Sequence, residues 1–127
     1  MLFTNQKSNT LKKDFKSVIK NADKLTIATG YFGAPLIDEL KSDLLKVANR
    51  GGCKILIGMV FHQGLSNKQL SSLQSLDVDL KSANGTATDN GIYISRKEYH
   101  GKIYHVVKED CEQLYIGSSN FSAYGFD

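Results

Sequence analysis

Leu25-Thr26-Ile27-Ala28-Thr29 is a β-rich run ending at Gly30, a helical stripe follows it, and a second apolar run follows the stripe. This order constrains the fold more than any single residue does. The stripe is Leu36, Ile37, Leu40, Leu44, Val47 and Ala48, which share one helical face. It stops at Gly51-Gly52, where glycine accepts a left-handed conformation at low cost. Lys54 to Phe61 is almost continuously apolar, the mark of a strand covered on both faces. Strand, helix, buried strand is a βαβ unit, and its crossover argues for parallel pairing.

The flanking segments extend this unit. Leu11, Phe15, Val18, Ile19 and Ala22 predict an amphipathic helix over 10–22, capped by Asn9 or Thr10. Ser66-Asn67-Lys68-Gln69 is a capping-box pattern that opens a helix with Leu70, Leu73 and Leu76 inside. After a polar loop at 83–91, the character turns to β, with strands expected at Ile92–Ser95, Tyr99–Val107 and Gln113–Gly117 and a turn over 108–112. The expected fold class is α/β, a mixed sheet with helices on both faces, within one domain over 1–127.

Composition removes several classes. Hydrophobic residues at 41% and charged residues at 23% describe a globular chain, not a disordered one. No apolar run approaches bilayer length, and the polar N-terminus lacks a signal-peptide core, so no membrane partner is expected and the cytoplasm is the expected setting. Cys53 and Cys111 make neither a disulfide framework nor a zinc site, and no metal or other cofactor is expected. The net charge of +3 excludes a histone-like binder. It is uneven, however: residues 1–25 hold six lysines against Asp14 and Asp23, a basic edge able to attract phosphates.

His100-Gly101-Lys102 is the sharpest local feature. On a strand, alternation points His100 and Lys102 the same way, with Gly101 facing the other side and leaving room for a ligand. Two such cations side by side are relieved by an anion between them. Gly117-Ser118-Ser119-Asn120 follows the next strand. Its small residues let the backbone approach a ligand, and its hydroxyl and amide groups suit phosphate oxygens. A hairpin of the last two strands brings Asn120 to the sheet end beside His100 and Lys102.

His-x-Lys, a strand, then Gly-Ser-x-Asn resembles the signature of the phospholipase D superfamily, the HKD phosphodiesterases. Gly-Ser-Ser-Asn-Phe-Ser together with Thr29-Gly30-Tyr31-Phe32 is most similar to the NgoFVII-type restriction endonuclease branch. The resemblance implies a phospholipase D-like half with one His-x-Lys per chain, completed in a homodimer. It implies His100, Lys102 and Asn120 as catalytic residues, with Gly117, Ser118 and Ser119 binding the substrate phosphate. It implies a metal-independent endonuclease that cleaves DNA through a phosphohistidine, with target choice left to a separate recognition domain or subunit. The chain departs from the pattern at Val107, where the strict motif carries Asp. It also ends at Asp127, so truncation before the carboxylate that orients the histidine is expected.

Two competitors remain open. Asp77, Asp79 and Lys81 form an Asp-x-Lys pattern that suits a Mg²⁺-dependent nuclease. A catalytically inactive HKD-like module for dimerisation or DNA contact is the other. His105, on the face opposite Lys102, reads as structural or exposed, and His62 as a loop histidine at a strand's carboxyl end.

Overall fold

The leucine-rich stripe lies on α2 (Ala34–Arg50), with Leu36, Ile37, Leu40, Leu44, Val47 and Ala48 all buried as their spacing requires. The structure is a computed structural model that describes residues 11–109 and 111–117. Around α2 run α1 (Leu11–Ile19), β1 (Lys24–Thr29), β2 (Gly52–Ile57), α3 (Val60–Gln63), α4 (Asn67–Lys81), β3 (Gly91–Ile94), β4 (Ile103–Lys108) and β5 (Cys111–Ile116). The five strands form one sheet in the order β3-β2-β1-β4-β5. β1 is parallel to β2 and β2 to β3, while β4 is antiparallel to β1 and to β5. The parallel βαβ unit and the mixed α/β sheet are therefore as the sequence implies.

One face of the sheet carries the core. Leu25 and Ile27 of β1, Ile55 and Ile57 of β2, and Tyr104 and Val106 of β4 pack with Phe15 and Ile19 of α1, the stripe of α2, and Leu73, Leu76 and Leu80 of α4. Burying each such side chain contributes on the order of 1.5–3 kcal/mol. All three long helices thus share a single face, not two. The outward face mixes polar positions, with Lys54 paired to Asp89 at 2.8 Å, and an apolar row across the sheet, Tyr93, Leu56, Ala28, Ile103 and Ile116, of which Ile116 is 72% exposed. The expectation of cover on both faces came from reading 54–61 as one strand. β2 instead ends at Ile57, and Val60–Gln63 is a short helix that leaves Phe61 72% exposed.

Other boundaries shift for local reasons. α1 ends at Ile19, because Arg50 donates to the carbonyls of Ile19 (3.0 Å) and Ala22 (2.7 Å) and terminates the helix there. Gly51 is not left-handed, with φ −148°. Glycine is required by crowding instead: a Cβ at Gly51 would lie 2.0 Å from the Asp23 carbonyl oxygen. The Ser66–Gln69 capping box is present in both directions, at 3.1 and 2.9 Å. Leu70, expected inside, is 43% exposed, because α4 meets α2 and β3 through Leu73, Leu76 and Leu80 and its first turn extends past them. The β4–β5 hairpin closes tightly, with Lys108 paired to Cys111, so the strands take residues assigned to the turn.

Candidate active site

Three parallel strands deliver their carboxyl ends to one edge of the sheet. β4 starts and β5 finishes at that edge, since Ala28 pairs with Ile103 and Ile103 with Ile116. Residues 95–102 must travel from β3 to β4, and with β2 and β1 between those strands they cross the carboxyl ends of both. The Ser95 amide donates to the Ile57 carbonyl at 3.0 Å and the Tyr99 amide to the Gly58 carbonyl at 3.2 Å. Gly58 and Met59 in turn donate to Thr29 and Gly30 at 2.8 and 3.0 Å, which ties the two strand ends together.

Glycine makes this crossing close. A Cβ at Gly58 would lie 2.2 Å from the Tyr99 carbonyl oxygen, and one at Gly30 would lie 3.4 Å from the His100 Cα. His100 is thereby seated over the end of β1, with its side chain 59% exposed. Its ring meets Tyr31 edge-on, with centroids 6.3 Å apart. Its Nε2 is 3.9 Å from a carboxylate oxygen of Glu98, beyond hydrogen-bond length.

His100 and Lys102 precede β4 and do not lie on it. The segment's amides bond to strand ends rather than to a ladder, and the Tyr99 ring folds over Gly101, where a Cβ would meet its hydroxyl oxygen at 2.2 Å. Strand alternation therefore does not set the direction of these two side chains. The Lys102 ammonium turns back and donates to the His100 carbonyl oxygen. The expected hairpin does bring β5 alongside: the Gly117 amide donates to the Lys102 carbonyl at 3.3 Å. His100, Lys102 and Gly117 are thus gathered at one edge. Ser118, Ser119 and Asn120 lie outside the described residues.

The remaining candidates are occupied elsewhere. Asp77 accepts from the Ile92 amide and from Lys81, both at 2.8 Å, while Asp79 pairs with Lys41 at 3.0 Å. Two residues apart on a helix, these carboxylates face different neighbours and do not converge. Burial raises the Asp77 carboxyl, but the Ile92 amide and Lys81 outweigh it and hold the group below the usual range. Among the described residues, no group of three or more His, Cys, Asp or Glu side chains comes together to hold a metal ion. His105 sits in β4 with Glu112 3.5 Å away, and His62 falls in α3. Phe32 is core, at 6% exposure. Burial pushes the Cys53 thiol up to about 12, so it stays protonated and inert.

Sequence reasoning passed over Arg96, Lys97 and Glu98, which ride the same crossing. Their signal was position: a basic pair four and three residues ahead of His100, inside a segment read as a strand and its approach.

A family model identifies this α/β sheet as a phospholipase D-like domain. More narrowly, the chain belongs to the family described as the NgoFVII restriction endonuclease N-terminal PLD domain, which matches residues 9–127. Its class is that of nucleases in restriction systems. A search of curated proteins gives no match. Among the described residues, no helix is long and apolar enough to cross a membrane.

Proposed function

We propose that the chain is a metal-independent phosphodiesterase domain that cleaves DNA in the cytoplasm, with His100 as nucleophile in a homodimeric site. The observation that carries this reading is the crossing at 95–102, which leaves the His100 imidazole exposed over the sheet edge beside Lys102. Family membership supplies the restriction setting and DNA as substrate.

Two copies related by a two-fold axis bring two imidazoles to one phosphate. One His100 attacks phosphorus, forming a P–N bond as the P–O bond to the leaving nucleoside breaks. The partner copy's histidine donates its proton to that leaving oxygen. Water then attacks phosphorus, the P–N bond breaks, and the same partner histidine accepts the water proton. Lys102 and Asn120 of each copy hold the equatorial oxygens, with Gly117, Ser118 and Ser119 lining the phosphate loop. The two lysines supply the positive charge that a metal ion supplies in other nucleases.

The test is turnover of DNA in excess EDTA by wild type and His100→Ala. Wild type is expected to cleave and to form an acid-labile adduct with labelled DNA. The variant is expected to do neither while keeping its circular dichroism and dimer mass. Undiminished cleavage by His100→Ala sinks the mechanism.

A further inference from the structure

The crossing carries more charge than the chemistry at His100 uses. Arg96 and Lys97 stand over the end of β2, where the Ser95 hydroxyl donates to the Lys97 carbonyl at 2.6 Å and fixes the turn. Among the described residues, neither side chain makes an ion pair or hydrogen bond. Several helix lysines are paired, Lys16 with Glu39, Lys41 with Asp79 and Lys81 with Asp77, while among the described residues others such as Lys46 and Lys68 are not. What marks Arg96 and Lys97 is their place beside an exposed ring at the edge that carries His100. Beside the two cations, Phe61 holds its ring out at 72% exposure. Gly58, Phe61, Arg96, Lys97 and Glu98 line one hollow of about 170 Å³. Glu98 is the acid in that group, and it also lies near His100.

An exposed ring beside two unpaired cations is a combination that holds nucleic acid, with the cations on phosphates and the ring on bases or sugars. The hollow is close to the proposed cleavage site, since residues 96 to 100 span at most ~14 Å even when extended.

We infer that Arg96, Lys97 and Phe61 form the contact for the DNA strand flanking the scissile phosphate, on the β2 side of His100. This rests on the reading of His100 as the cleavage site, but its test does not require turnover. Binding is measured with the full chain carrying His100→Ala and a fluorescent DNA duplex, over a series of salt concentrations.

Adding Arg96→Ala and Lys97→Ala is expected to weaken binding at least about tenfold at low salt and to flatten the salt slope by about 2 for each copy that engages the duplex, about 4 for the homodimer. Phe61→Ala is expected to weaken binding about fivefold with the slope unchanged, since it removes no charge. Lys46→Ala with Lys108→Ala removes the same charge from α2 and from the β4–β5 hairpin at the opposite end of the sheet, and is expected to leave the slope as it was. An unaltered slope in the Arg96/Lys97 variant overturns the inference. So does an equal flattening by the Lys46/Lys108 control, which would make the effect one of net charge alone. If wild type cleaves DNA but the Arg96/Lys97 variant binds like its parent, the inference fails and the catalytic reading stands. If wild type cleaves nothing while that variant loses binding, the contact stands and the catalytic reading fails.

Discussion

The two ends of the parallel strands differ in the balance of their polar contacts. At the amino end, side chains close on the backbone. Asn90 accepts from the buried Cys53 amide at 2.9 Å, Asp77 from Ile92, Asp23 from Glu109 at 2.8 Å, and Arg50 donates to two carbonyls at the end of α1. At the carboxyl end backbone bonds through Gly58, Met59, Ser95 and Tyr99 do most of the closing, and the side chains of Thr29, Ser95 and Lys102 bond to carbonyls two residues away. The side chains of Arg96, Lys97 and His100 are left turned to solvent. An unpaired exposed cation adds little to stability, so the cations at the carboxyl end accord with the DNA contact proposed above, while the side-chain bonds at the amino end hold the fold.

The sharpest way to break this contrast is to remove the ammonium nearest His100. Lys102→Met is expected to lower kcat on a small phosphodiester by about 10²–10³, the cost of removing one donor to a developing oxyanion. Its melting temperature is expected to stay near wild type, because the one bond lost is to a nearby carbonyl on an exposed segment. A variant that melts early with kcat intact would move Lys102 to the structural side of the comparison.

Two glycines sharpen it next, one at each end. Gly58→Ala puts a methyl against the Tyr99 carbonyl, and the crossing that carries His100 must move. Displacement of this kind costs up to about 10² in turnover. Gly51→Ala puts a methyl against the Asp23 carbonyl at the other end. It is expected to cost roughly 1–3 kcal/mol of stability, the range for overpacking, with turnover of the folded protein unchanged. Urea melts and kcat on the same preparations separate the two outcomes.

The fold was legible where period and capping coincide. The α2 stripe, the Ser66 capping box and the β1 run each carry their own geometry in a few residues, and each is found as read. What escaped the sequence depended on distant partners. Gly51 looked like a helix stop needing positive φ, but its crowding comes from Asp23, far back in the chain. Lys54–Phe61 read as one strand because hydrophobicity cannot show where β2 runs out of sheet. His100 and Lys102 were found as a pair, but strand alternation was the wrong reason, since the segment is bound to strand ends and not to a ladder. Arg96 and Lys97 were invisible as a site because only the topology β3-β2-β1-β4 carries them across to the edge where His100 sits.

Asp77 offers the smallest effect and the most direct check of the amino end. Its carboxylate does two jobs, accepting from the Ile92 amide and pairing with Lys81. Asp77→Ala leaves that amide without its partner and is expected to cost about 1–3 kcal/mol. Asp77→Asn keeps an acceptor oxygen and gives up only the charge on an exposed lysine, so it is expected to cost less. The folded carboxyl lies below its ordinary value. Its ionic contribution is therefore complete above the unfolded pKa of about 3.9 and is lost as pH falls through the lower folded value. Wild type and Asp77→Asn should then differ at neutral pH and converge in acid, which paired urea melts at several pH values will read. Equal costs for Ala and Asn would mean that the Ile92 bond is not what Asp77 supplies. A loss of DNA cleavage without loss of stability would place Asp77 in a catalytic centre, and the amino end would cease to be merely structural.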